Sequence, residues 1–207
     1  MKCRLFRIQW NISTFSDMTL DIFTIGNLEK DFLKKRQAIM AESRADLVML
    51  LNTDISVSNY KRSLPLFKDP KLFAVTFSPQ SSQTGKIRRV DYANGGSSIY
   101  RRKIWNRIGG IDLMFEPFWF DDTDYSRRAT SAGYYILEDG RIKVIQVSPL
   151  GTGVIKKSLM GILIYWRNFF LYHRKHNIPP GRKHLLFPVF WPFIIWANIR
   201  YQKYHGQ

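Results

Sequence analysis

Residues 47–54 read LVMLLNTD. Five consecutive apolar residues bounded by polar ones are the mark of a strand buried on both faces, as the central strands of an α/β sheet are. The run ends in Asn52-Thr53-Asp54. In open α/β sheets the ligand site lies beyond the carboxyl ends of the strands, so this tripeptide stands where a ligand is expected. Two readings of Asp54 stay open. It holds a divalent ion, since Mg2+ and Mn2+ prefer oxygen ligands shared with substrate phosphates, or it closes a turn, where Asn and Asp are favoured.

Upstream, residues 28–44 place Leu28, Phe32, Ile39 and Met40 near one face of a helix, with Lys, Arg and Glu around the rest. This spacing predicts an amphipathic surface helix leading into the strand. Downstream, Leu72 to Phe77 predicts a second buried strand, and the polar stretch Ser78 to Gly85 a loop. Residues 101–108, RRKIWNRI, predict a helix stopped by Gly109-Gly110. After Phe118-Trp119-Phe120, the segment DDTDYSRRATSA predicts a second helix, ended by Gly133, and strands over 134–137 and 141–147 close the globular part.

That second helix opens on Asp121 and Asp122. A helix N-terminus favours carboxylates through its dipole and its free N–H groups, which accounts for one acid better than for two. Aromatic walls around a carboxylate tune its proton affinity and shape a substrate pocket, so a carboxylate here could act as a general base taking a proton from a sugar hydroxyl. Asp124 has a structural partner available in Arg127 or Arg128, three and four residues on.

Composition sets the frame. With 207 residues and 45% apolar content, the chain can bury a core and carry an appendage. The net charge of +16 calls for an anionic partner. Residues 151–207 hold nine Lys/Arg and no Asp or Glu, leaving 23 basic and 16 acidic groups in the first 150 residues. In this tail, 159–172 and 185–199 are aromatic-rich apolar runs interrupted by Arg167 and Asn168 and by Pro188 and Pro192, with the four histidines, His173, His176, His184 and His205, among or after them. Both runs fall short of the roughly 20 apolar residues of a membrane span. Their Trp, Tyr, Lys and Arg content is that of an element lying on an anionic membrane surface, and packing back on the core is the alternative. A nucleic-acid module would interleave its basic residues through a groove, so no nucleic acid is expected. Cys3 is the single cysteine, which excludes an internal disulfide and a cysteine-built metal site. With no apolar leader at the start, the expected location is cytoplasmic, peripheral on the inner face of the membrane.

These residues also follow a family pattern. LVMLLNTDISVS resembles the strand and DXD-type motif of family 2 glycosyltransferases, and GGSSIYRRKIWNRIGGIDLMFEPFWFDDTDYSRRATSAGYYI, beginning at Gly95, resembles their acceptor-side region. In order, Gly95-Gly96, Arg101-Arg102, Gly109-Gly110-Ile111-Asp112, Phe118-Trp119-Phe120, Asp121-Asp122, Asp124-Tyr125-Ser126, Arg127 and Ala132-Gly133-Tyr134 each have a counterpart. Trp166-Arg167-Asn168 is similar to the rhamnosyltransferase-like branch. The resemblance covers roughly residues 30–175.

It implies a GT-A-like, Rossmann-like mixed sheet flanked by helices over residues 1–153, and a basic, aromatic-rich, membrane-associated helical tail over 154–207. The family's nucleotide-binding first strand, of the kind VSVVIPTYN, has no clear counterpart, so an N-terminally shortened domain is expected. The resemblance further implies that Asp54, with Asn52 beside it, holds a metal and the donor diphosphate. Gly95 and Gly96 would leave room for donor sugar or acceptor, or form a tight turn. Asp122 would be the general base, and Asp121 stands where the family usually has Glu. The implied reaction is inverting transfer from a nucleotide-diphospho-sugar, with Mg2+ or Mn2+, to a hydroxyl of a lipid-linked or cell-surface glycan. Gln146 falls at about the place of the family's metal-binding His. The alternative is a catalytically inactive relative serving as a membrane-bound binding or assembly partner.

Overall fold

The computed structural model describes residues 10–11, 18–25, 31–146, 159–179 and 181. The chain divides into two compact units, 1–149 and 150–207.

The first unit is built on the expected buried strand. Leu47, Val48, Met49 and Leu50 are each at most 2% exposed, and burying side chains of this size is worth roughly 1.5–3 kcal/mol apiece. This strand, β3 (Leu47–Asn52), is preceded by β1 (Trp10–Asn11) and β2 (Thr19–Ile25). β2 runs parallel to β3, with Leu20 opposite Leu47 and Ile25 opposite Asn52. The helix α1 (Phe32–Glu42) lies between them in sequence, as parallel neighbours require a crossover. Its described buried face carries Phe32, Leu33, Arg36, Ile39 and Met40; Leu28 lies outside the described residues.

Six more strands follow: β4 (Ile55–Ser58), β5 (Leu72–Thr76), β6 (Ile87–Val90), β7 (Ser97–Arg101), β8 (Tyr135–Asp139) and β9 (Lys143–Gln146). The main sheet has seven strands in the order β1-β2-β3-β7-β5-β8-β6, and β4 pairs with β9 in a small second sheet. β7 was not expected from the sequence, yet it lies mid-sheet, antiparallel to both β3 and β5. The helices α2 (Arg102–Arg107) and α3 (Asp121–Ser131) form where the sequence predicts them, each followed by glycine with positive φ: 82° at Gly109, 64° at Gly110 and 86° at Gly133.

Adjacent residues of β7 point to opposite faces of the sheet. Ile99 joins a core that includes Met49, Phe67, Leu72, Val75 and Ile142. Tyr100 joins Phe73, Trp105 and Tyr125, whose ring centroids lie 4.8–6.4 Å apart. The second aromatic layer seats α2 and α3 on the sheet, and so sets where the first turn of α3 emerges.

In the second unit, the first apolar run forms α4 (Leu159–Lys175). Among the described residues no helix is long and apolar enough to cross a membrane. The second run, 185–199, lies outside the described residues.

Candidate active site

β3 is extended past its last β7 partner by one more bond, as the Asn52 amide donates to the Gly96 carbonyl at 2.8 Å. A Cβ on Gly96 would stand 1.9 Å from Nδ2 of Asn52, so the Asn52 side chain occupies the space that glycine leaves open. Gly95 does the same for α1. A Cβ there would lie 2.7 Å from a guanidinium nitrogen of Arg36, and Arg36 donates to the Gly95 carbonyl. The room expected here for a donor sugar or an acceptor is thus filled by two of the chain's own side chains, and the glycines serve the close approach of β3, α1 and the loop before β7.

The other side of Arg36 meets the acid pair. Its guanidinium lies 3.3 Å from Oδ2 of Asp121, and both residues are buried, Arg36 at 3% and Asp121 at 5% exposure. Asp122 is half-buried. It accepts a hydrogen bond from the Thr123 amide at 2.8 Å.

Burial, together with the neighbouring Asp122, pushes the Asp121 carboxyl up to about 7 against the pull of Arg36. Burial also raises Asp122, opposed by Arg36 and by the amides of Thr123 and Gly95. Two adjacent carboxylates sharing one cation in a dry site hold their last proton toward neutral pH, as a coupled pair. The approach to the pair is strained. Trp119 and Phe120, immediately before it, have φ of 73° and 66°, a conformation costing about 1 kcal/mol or more for side chains of this kind and concentrated at functional sites.

Asp54 sits in the turn after β3, two residues beyond Asn52. Pairing of β4 with β9 sets Gln146 opposite Ile55, and the Gln146 Nε2 donates to Oδ2 of Asp54 at 3.4 Å. Among the described residues no group of three or more His, Cys, Asp or Glu could hold a metal ion. Asp124, by contrast, has the structural role open to it. It is fully buried and pairs with Arg128 at 2.7 Å, which also donates to the carbonyls of Ile108 and Gly110 and so fastens the Gly109-Gly110 turn to α3.

The structure therefore links Asn52 to Gly96, and Gly95 through Arg36 to Asp121 beside Asp122, with Asp54 two residues along the chain from Asn52. Arg36 is the member that the sequence analysis missed. Its signal was present: positions 32, 36, 39 and 40 follow the helical repeat, so Arg36 falls on the apolar face of its own helix.

No family model and no curated protein matches the chain by sequence. Solved structures do resemble it. GalNAc-T7 with UDP, GalNAc and Mn2+ superposes with a TM-score of 0.54 at 12% identity, over 72% of this chain and 35% of that one. The mannosyltransferase PcManGT from Pyrobaculum calidifontis, in complex with GDP-Man and Mn2+, gives a TM-score of 0.45 at 12% identity, over 87% of this chain and 56% of that one. The fold is GT-A-like. The chain spans about a third of the length of the first structure and just over half of the second. In the GT-A-like frame, Asn52-Thr53-Asp54 lies at the carboxyl end of a parallel strand pair, β2 and β3, and the acid pair opens the helix that precedes β8.

Proposed function

We propose that the chain is an inverting glycosyltransferase of the family 2 kind, moving a sugar from a nucleotide-diphospho-sugar to a hydroxyl of a lipid-linked or cell-surface glycan. The observation that carries this reading is the buried bridge at Arg36, which binds both the Gly95 carbonyl, in the loop beside the end of β3, and Asp121 of the acid pair. A half-buried carboxylate with raised proton affinity, oriented by a backbone amide, is suited to general-base work near neutral pH. Asp122 takes the proton of the acceptor hydroxyl as that oxygen attacks the anomeric carbon, the bond from that carbon to the donor diphosphate breaks, and positive charge develops on the sugar ring.

Asp54 supplies one carboxylate and Gln146 a side-chain amide facing it. That set fits Mg2+ or Mn2+ shared with a substrate diphosphate, since such ions keep few protein ligands when phosphates are present; it does not fit a dedicated all-protein cage. When bound, the ion would offset charge on the departing diphosphate. The similarity to structures containing UDP or GDP-Man with Mn2+ agrees with this reading at the level of fold. On α4, the exposed residues Leu163, Arg167, Phe170 and Arg174 recur at helical spacing. Alternating apolar and cationic groups on one face support a peripheral site on an anionic membrane, on the cytoplasmic side.

One observation favours a second reading, a non-catalytic relative acting as a membrane-bound binding partner: an amide, rather than an imidazole or a second carboxylate, faces Asp54. An assay separates the two. The chain is incubated with UDP-, GDP- and dTDP-sugars, Mn2+ and a membrane lipid extract as acceptor source, and release of nucleoside diphosphate is followed. Release that Asp122→Asn abolishes supports transfer; none from any donor, with the protein folded, leaves the binding partner.

A further inference from the structure

β6 (Ile87–Val90) is the last strand of the main sheet and, among the described residues, pairs only with β8. One row of its backbone N–H and C=O groups therefore faces away from the ladder. Lys86, Ile87, Arg88 and Arg89 are exposed, as is Tyr92 just beyond the strand. Asp91 is the single acid in this stretch. Charged residues commonly blunt an open edge against chance pairing, and the three basic ones fit that role. It leaves unexplained the apolar groups kept beside them, Ile87 at 38% and Tyr92 at 53% exposure, and the way the two arginines are held.

Successive side chains of a strand point to opposite faces. On one face Arg88 stands opposite Glu138, and its Nε donates to Oε2 of Glu138 at 2.6 Å. Glu138 is itself buried and accepts from Ser78 Oγ at 2.9 Å. On the other face the guanidinium carbon of Arg89 lies 4.4 Å from the centre of the Tyr135 ring. That ring is anchored by its hydroxyl, which donates to Asp69 at 2.7 Å. Each arginine is thus fixed at one point, while its terminal nitrogens have no hydrogen-bond partner among the described residues. A guanidinium held in this way has already given up rotamer freedom and keeps its planar fork for a carboxylate.

A membrane surface would meet the basic groups but leave the outward backbone groups unsatisfied. A second copy paired two-fold through β6 would set Arg88 against Arg89, and like charges directly opposite destabilise a sheet. An extended segment with two adjacent acids satisfies the ladder and meets one arginine on each face. Adjacent acids occur in this chain at Asp121-Asp122 and Glu138-Asp139, inside α3 and β8, so the segment belongs to another protein. We infer that the β6 edge is a docking site for an extended acidic segment of a partner protein, which adds a strand beside β6 and places neighbouring Asp or Glu side chains on Arg88 and Arg89.

The test selects a phage-displayed library of random peptides on the full chain. The most enriched peptide is titrated against wild type, Arg89→Thr and the double variant Arg88→Thr with Arg89→Thr, with thermal melts confirming folding. Amide hydrogen exchange over residues 86–91 is followed with and without it. Enriched peptides should carry adjacent acids between strand-forming residues and lack proline. Binding should weaken about tenfold in Arg89→Thr, as for loss of a hydrogen bond to a charged group, and weaken again in about 0.5 M NaCl. Exchange in β6 should slow when the peptide is bound. Arg89→Thr leaves the Arg88–Glu138 pair in place and carries the test should the double variant not fold. Enrichment without adjacent acids, unchanged affinity in folded Arg89→Thr, or binding that leaves β6 exchange unaltered would overturn the assignment. So would phosphatidylglycerol vesicles that bind wild type and not folded Arg89→Thr when no peptide does, which would give the edge to a membrane. None of these readouts depends on donor binding, so they stand apart from the question of glycosyl transfer.

Discussion

Asp139 and the Asp121–Asp122 pair each stand beside an arginine, and they behave in opposite ways. Asp139, at the end of β8, is fully buried. Its two oxygens accept from Ser63 Oγ at 2.7 Å, from Arg141 Nε at 2.8 Å, from an Arg141 terminal nitrogen at 2.7 Å and from the Arg141 amide at 3.1 Å. Burial pushes its carboxyl up, yet these donors hold it below the usual carboxylate range. At the start of α3, Arg36 is shared between two adjacent acids, and both are raised. Donors per carboxylate, rather than the presence of an arginine, decide which acid is locked as an anion and which can exchange a proton. Proton exchange is what a catalytic base requires.

Substitutions at the two sites should act in opposite directions. The largest effect is expected at the shared pair. Asp122→Asn should lower transfer by roughly 10²–10⁴-fold, the usual share of general-base catalysis, measured as diphosphate release. The same variant should gain stability on the alkaline side. A carboxyl whose folded-state proton affinity exceeds its unfolded one contributes stability that is complete below the unfolded value, and loses it as pH rises through the folded value. Asp122 and Asp121 are both raised from 3.8, Asp121 to about 7. The melting temperature of Asp122→Asn relative to wild type should therefore be higher at pH 8 than at pH 5.

Asp139→Asn should do the reverse. It should cost about 1.5–3 kcal/mol at pH 7, the range for hydrogen bonds to a charged group, in urea unfolding. Because the folded-state value of Asp139 lies below 3.8, its contribution is present above that unfolded value and lost as pH falls beneath it, so the cost should shrink in acid. The carboxyl titration of Asp121 and Asp122 should be unchanged. Smallest of these is Ser63→Ala, which removes one of four donors to Asp139 and should cost about 1 kcal/mol without altering nucleotide binding.

The same contrast explains what could be read from the sequence. β3, β5, α2 and α3 were legible because their apolar runs, or their glycine stops, are local signals. β7 was not, because its chemistry is satisfied at long range. Ser97 and Ser98 are buried with their hydroxyls donating to the carbonyls of Phe77 and Asn94, both at 2.6 Å. Arg101 binds the carbonyls of Leu72, Phe67 and Asp69. Read alone, GGSSIYRR is half polar and suggests a turn running into a helix. β2 was hidden likewise, as Asp21 interrupts TLDIFTI but is buried against Ser43 Oγ at 2.7 Å. In the site, residue types at Asn52, Asp54, Asp121 and Asp122 could be picked out locally, whereas the uses of Gly95 and Gly96 depend on Arg36 and Asn52, which come from elsewhere in the chain.

On the proposed function, Asp54 holds the diphosphate end of a nucleotide donor while Asp122 takes the acceptor proton. Calorimetric titration of the chain with UDP, GDP and dTDP, with and without Mn2+, on wild type, Asp54→Ala and Asp122→Asn, separates these two roles. One nucleotide should bind in a metal-dependent way, binding should be lost in Asp54→Ala, and affinity should stay within about threefold, roughly 0.7 kcal/mol, in Asp122→Asn. Equal affinity in Asp54→Ala and wild type, or binding indifferent to Mn2+, would contradict it.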